Sequence, residues 1–253
     1  MKNLLFLAII LSSTVLYSQQ KIPFISRNTQ EAGASLNSNG SFSALALTGT
    51  QYWGVGKKKK NFKLGLGTRL TSSFGSNNLE YITAPAILTS GQTGPGVFFA
   101  EQITQNIDTL SLNATQLNAL NAYLALRFDF AQKWGIEFNI DLTGFSFGGN
   151  KEAKLIYGDG IQSIQNSKAK PTFFNALLIS DNDLGSLNSA LMLSYKIKSQ
   201  LKVIAGASFL FNEYTLESPV TYTNSIGTKV NAERYRTKQL MFGVGINYVF
   251  KKK

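Results

Sequence analysis

The chain has 253 residues, a net charge of +11 and a mean hydropathy of −0.03, with neither cysteine nor histidine. That length fits one all-β domain, and the missing residue types exclude disulfides, lipoprotein anchoring, thiol chemistry, the commonest general base and the commonest zinc ligand. Two lysine runs, Lys57-Lys58-Lys59-Lys60 and Lys251-Lys252-Lys253, lack aromatic interleaving or a recognition helix, so they are read as rim charges meeting anionic headgroups or water and no nucleic-acid partner is expected.

Residues 1–18 read as a secretory signal: Lys2, an apolar run over 4–11, then small residues ending at Tyr17-Ser18. Residues 19–30 form a periplasmic lead-in and 31–253 a single β domain. No other apolar run is long enough for a helical membrane span. The first strand is short, with Ala32, Ala34 and Leu36 alternating, and Asn37-Ser38-Asn39-Gly40 carries turn chemistry. The second, over 41–55, has two possible registers: Leu45, Leu47 and Trp53 on the apolar side, or Phe42, Ala44 and Tyr52, with a bulge able to switch them.

From there the alternation sharpens. The third strand sets Phe62, Leu64, Leu66 and Leu70 against Lys63, Gly65, Gly67 and Arg69. The fourth sets Leu120 to Phe130 against Asn121, Tyr123, Arg127 and Asp129, and the fifth sets Trp134, Ile136, Phe138 and Ile140 against Glu137, Asn139 and Asp141. The sixth (Leu191 to Lys198) and seventh (Leu201 to Asn212) follow the same rule. No charge falls on the apolar face of strands three to eight, where a lysine or arginine at mid-bilayer would cost about 2–4 kcal/mol. Connections after strands two, four and six are short, and those after three, five and seven are long. Trp53, Phe62, Phe130, Trp134, Tyr248 and Phe250 group at the short-turn end, with Phe74, Phe145, Phe209 and Phe211 at the other.

The last strand, over 239–250, alternates Leu240, Phe242, Val244, Ile246, Tyr248 and Phe250 against Met241, two glycines, Asn247 and Val249. Its Gly245-x-x-Tyr248-x-Phe250 ending resembles the terminal signal of outer-membrane β-barrels, which their assembly machinery reads; here three lysines follow the aromatic. With the hairpin layout, the chain resembles the small eight-stranded outer-membrane barrels of the OmpA-transmembrane or OmpX type. The resemblance implies an all-β, transmembrane antiparallel up-and-down β-barrel of eight strands with long extracellular loops. It places the chain in the outer membrane of a Gram-negative cell envelope, with outer-membrane lipids and the assembly machinery as partners.

Candidate functional residues are of two kinds. On the inward face, Arg127, Glu137 and Lys196 fall at one depth, and Arg69 and Asp141 at a higher one. Buried charges need partners, so Arg127–Glu137 and Arg69–Asp141 pairs are expected to bridge the lumen, as filling or as the lining of a narrow polar path. In the loops, Phe173, Phe174, Leu177, Leu178 and Ile179 form an apolar patch, read as a lid or extra hairpin over the mouth, or as a pocket for an apolar ligand or partner protein. Residues 108–121 fit a short amphipathic helix through Leu110, Leu117 and Leu120, and Asp108-Thr109-Leu110 resembles a bacterial O-glycosylation site. The Gly-rich stretch 91–96 lacks a phosphate cradle's lysine and helix, and Asp159, Asp181 and Asp183 lack the spacing of a calcium loop. No cofactor, metal or catalytic group is expected. The reading is a porin-like, non-enzymatic barrel with a structural or surface-interaction role, or a narrow channel for small polar or apolar solutes.

Overall fold

Residues 29–250, apart from 57–60, 77–78, 93, 114, 159–163, 179–181 and 224–228, are described by a computed structural model of the chain. The signal, the lead-in up to residue 28, both lysine runs, Asp159, Ile179 and Asp181 lie outside the described residues.

Period-two alternation makes strands throughout. β1 (Thr29–Ser38), β2 (Phe42–Val55) and β3 (Phe62–Gly75) lead the chain. Asn39-Gly40 turns β1 into β2: the Asn39 Oδ1 accepts the Phe42 backbone N–H at 2.8 Å, and Gly40 sits at φ +91°, where a side chain would be strained. β2 keeps one register along its whole pairing with β3, placing Leu45 and Leu47 outside and Phe42, Ala44 and Tyr52 inside. Next come the short β4 (Leu79–Thr83) and β5 (Thr109–Leu112), with a one-turn helix α1 (Ala86–Ser90) between them. β6 (Gln116–Phe128), β7 (Trp134–Phe147), β8 (Lys151–Ile156), β9 (Ile164–Pro171) and β10 (Phe174–Ala176) follow. β11 (Leu187–Lys198), β12 (Leu201–Thr223) and β13 (Lys229–Phe250) complete the chain.

The pairings trace two rings. In the larger, β1, β2, β3, β6, β7, β11, β12 and β13 pair in that order, all antiparallel, and β13 returns to β1. In the smaller, β4 pairs with the upper part of β13, then β5, β8 and β9 follow in turn, and β9 pairs with the upper part of β12. The long β12–β13 hairpin is the wall the two rings share. Among the described residues the sheet therefore holds thirteen strands, not the expected eight; the five others come from connections read as loops. Residues 109–112 and 116–121 are strand, not the expected helix, because Leu110 and Leu112, then Leu117 and Ala119, bury alternate residues. The connection expected between residues 212 and 239 is mostly strand as well.

Each ring has its own filling. The larger is lined by polar and charged side chains on its inner face, and its outer face carries exposed Leu, Ile, Val and Phe on every strand. The smaller encloses an apolar core that includes Tyr81, Leu110, Leu112, Leu155, Tyr214 and Tyr235, joined by Leu117 and Ala119 from β6. Between the two fillings lies an apolar cluster of Phe42, Ala44, Leu210 and Met241, with Leu79 packed on it. A bulge interrupts the β6–β7 pairing: partners step from Thr143 to Asp141, leaving Leu142 as the extra residue.

Candidate functional site

The inner face of the larger ring is built by strands whose other face carries exposed apolar side chains, with polar residues at the alternate positions. Arg127 and Glu137 are direct cross-strand partners on β6 and β7. Their charged atoms are 4.0 Å apart, but Arg127 lies nearer to Asp129 at 2.7 Å and Glu31 at 3.3 Å. Lys63 joins Asp129 at 2.8 Å, and Lys202 pairs with Glu31. One layer up, the Tyr52 hydroxyl donates to Glu137 at 2.6 Å, and Asn139 donates to the other carboxylate oxygen at 3.1 Å. Arg69 donates to Asn139, meets Asp141 at 3.2 Å, and lies 4.7 Å over the Tyr123 ring. Asp141 also accepts from Asn121 at 2.8 Å and from the Asn188 backbone at 2.9 Å.

Four cations (Lys63, Arg69, Arg127, Lys202) thus face four carboxylates (Glu31, Asp129, Glu137, Asp141), and the cluster is electrically balanced. Charges taken out of water are tolerable only with partners and hydrogen bonds of this kind. The network leaves a polar cavity of about 40 Å³, lined by Tyr52, Arg69, Arg127, Glu137 and Asn139 among others. That is room for no more than a few waters.

The structure brings Arg69 together with Asp141, and Arg127 together with Glu137. Lys196 stays outside the cluster. It is the cross-strand partner of Lys202 at the ring's end, yet its side chain is exposed while that of Lys202 is buried. Two ammonium groups cannot share one carboxylate cheaply, and β12 stands nearer around the ring to β1, which carries Glu31. Glu31, Lys63, Asp129 and Lys202 are the participants that sequence reasoning missed. Their signal was present, since each occupies a polar-face position near a strand end, but depth counted from turns did not rank them.

The loop patch is not over the mouth, which the smaller ring occupies. Phe173, Phe174, Leu177 and Leu178 lie on and beside β10, which pairs with the upper part of β7. Asp183 is buried, its Oδ1 accepting the Leu178 backbone N–H at 2.7 Å. Asp108 is fully buried and Thr109 half-buried in β5. At the chain's end, Tyr248 and Phe250 face outward with rings 5.2 Å apart, and Gly245 pairs with Ser35 and Ile204. On the smaller ring's flank, an open groove of about 470 Å³ is lined by polar residues including Ser111, Asn113, Glu152, Lys154, Lys168 and Glu217. Among the described residues no three metal-ligating side chains come together.

No protein-family model and no curated protein sequence matches the chain. Among solved structures it is similar to Neisserial surface protein A, with 12% identity and a TM-score of 0.30, covering 88% of this chain and 96% of that one. A major outer membrane protein from Thermus thermophilus aligns with 10% identity and a TM-score of 0.39, covering 89% of this chain and 100% of that one. The Pseudomonas putida toluene transporter TodX aligns with 10% identity and a TM-score of 0.25, covering 89% and 91%. Likeness this low carries no inference about what this chain does.

Proposed function

We propose that the chain is an outer-membrane β-barrel without catalytic activity, whose wall is the eight-stranded ring and whose role is structural or interactive at the cell surface. The observation that carries this reading is the double closure of the ring. A neutral ion-pair network fills the lumen, and an apolar cluster and a second ring with its own core cover one end. Membrane placement is supported by the outer face, where residues such as Leu36 on β1, Leu45 on β2, Leu64 on β3, Leu126 on β6, Phe138 on β7, Leu191 on β11, Phe209 on β12 and Val244 on β13 are exposed around the ring. A water-soluble monomer rarely exposes so continuous an apolar surface, whereas lipid solvates it. The ring's uncapped end, where β1 begins and β13 ends, then faces the periplasm, and the smaller ring faces outward.

On this reading the cap's polar groove, with both signs of charge on its rim, is the surface offered to a hydrophilic partner. The partners inside the envelope are outer-membrane lipids and the machinery that reads Gly245, Tyr248 and Phe250. The experiment is conductance recording with purified full-length protein in planar bilayers, after a heat-modifiable gel shift has shown it folded. Silence is expected. Continuous conductance would retire this reading in favour of a narrow channel for small solutes, because the apolar cluster would then have to part.

A further inference from the structure

One short stretch of the wall shows water a surface that no soluble loop would keep. Phe173 is 69% exposed, Phe174 53%, Leu177 36% and Leu178 47%. Withdrawing such side chains from water is worth about 25 cal/mol per Å² of apolar surface, and the backbone here is fixed too firmly to fold them away. Phe174 pairs with Phe145, Asn175 with Gly144 and Ala176 with Thr143. The Leu177 N–H donates to the carbonyl of the bulged Leu142 at 2.8 Å, and the Ser146 N–H to the Phe173 carbonyl at 2.7 Å. Asn175 points the other way and is wholly buried, donating to Asn121 at 2.7 Å and accepting from Ser146 Oγ and the Ser186 N–H, both at 2.9 Å. The polar side chain hooks into the wall, and the apolar ones are held outward.

That outward patch is continuous with the apolar belt. Phe173 stacks on Phe145 with centroids 6.0 Å apart and planes 19° apart, and Phe145 lies 6.5 Å from Phe147 on the same outer face. We infer that β10 and its flanks are a lipid-facing anchor: Phe173, Phe174, Leu177 and Leu178 sit at the outer-leaflet boundary between acyl chains and headgroups and raise the belt on this one side of the ring. The occupant is lipid because the patch prolongs a lipid-facing surface without a break, and aromatic side chains concentrate at that depth. This inference rests on the membrane placement proposed above.

Brominated-lipid quenching tests it. The chain's two tryptophans, Trp53 and Trp134, lie at the opposite, uncapped end of the ring. In a Trp53→Phe/Trp134→Phe background, Phe173→Trp and, separately, Phe174→Trp each place a single indole in the patch; full-length protein is refolded into vesicles of brominated phosphatidylcholine. The expected result is quenching at least half as strong as that of Trp53 and Trp134 in the unaltered chain. If the native tryptophans are quenched and the introduced indoles are not, in folded protein, the patch faces water or protein and the anchor is wrong while membrane placement stands. If the native pair is also unquenched, the membrane placement fails and the anchor with it.

Discussion

Arg127 is the side chain on which most of the lumen's charge depends, since it meets Glu31, Asp129 and Glu137 at 3.3, 2.7 and 4.0 Å. Replacing it with leucine leaves those carboxylates short of a cation in a buried site, a change that costs about 3–5 kcal/mol. Equilibrium urea unfolding from lipid vesicles should show that loss for Arg127→Leu; a loss within error of zero would mean the lumen is wetter than its packing implies. Asp129, outside the strands, gives the network a pH signature. Burial pushes its carboxyl up, but Arg127 and Lys63 outweigh this and hold it below its ordinary 3.8. A depressed carboxylate contributes stability above its unfolded pKa and loses it as pH falls through the folded value. The stability gap between wild type and Asp129→Asn should therefore persist at neutral pH and close as pH falls below about 4. At Gly67 the constraint is space: an added Cβ would lie 2.5 Å from the Gly49 carbonyl oxygen and 2.7 Å from the Tyr123 ring. Gly67→Val should lower stability by about 1–3 kcal/mol in the same unfolding assay.

At the scale of elements, alternation reveals only strands long enough to repeat. The third to eighth predicted strands each show several apolar residues at period two, and each is a wall strand. β4, β5 and β8 offer two or three inward residues apiece, as in Tyr81 and Thr83 or Leu110 and Leu112, too few to distinguish from a helical turn. What makes them strands is closure against the upper β12–β13 hairpin, a contact far away in sequence. The lumen was half legible for the same reason. Arg127–Glu137 follows from a short turn that fixes register, whereas Glu31–Lys202 depends on how the ring closes. The cap's independence is testable: Leu155, fully buried in its core, should cost about 2–5 kcal/mol as Leu155→Ala. Hydrogen exchange should place that loss in residues 79–112 and 151–171, leaving β1–β3 protected; uniform loss across both rings would show that they unfold as one.

For the whole molecule, the decisive question is what solvates the outer face. Val244, in the part of β13 that pairs with β1, is 64% exposed. Val244→Arg should cost about 2–4 kcal/mol if that face is in hydrocarbon, but a surface substitution in water stays within about 0.5 kcal/mol. Unfolding from vesicles reads the difference directly, and a near-neutral result would remove the membrane from the account. The inner face carries the complementary message: its eight ionised groups cancel, so the ring needs no bound ion to remain neutral.

The shared β12–β13 hairpin has a consequence for the order of events during synthesis. β4, β5, β8 and β9 leave the ribosome well before residues 201–250, yet the small ring has no closing partner until that segment appears. Until then two sets of unpaired strand edges coexist on one chain, the circumstance in which chains most readily stick to one another. A chain stopped before β13 forfeits both closures at once, because each ring needs that strand to pair with its first one.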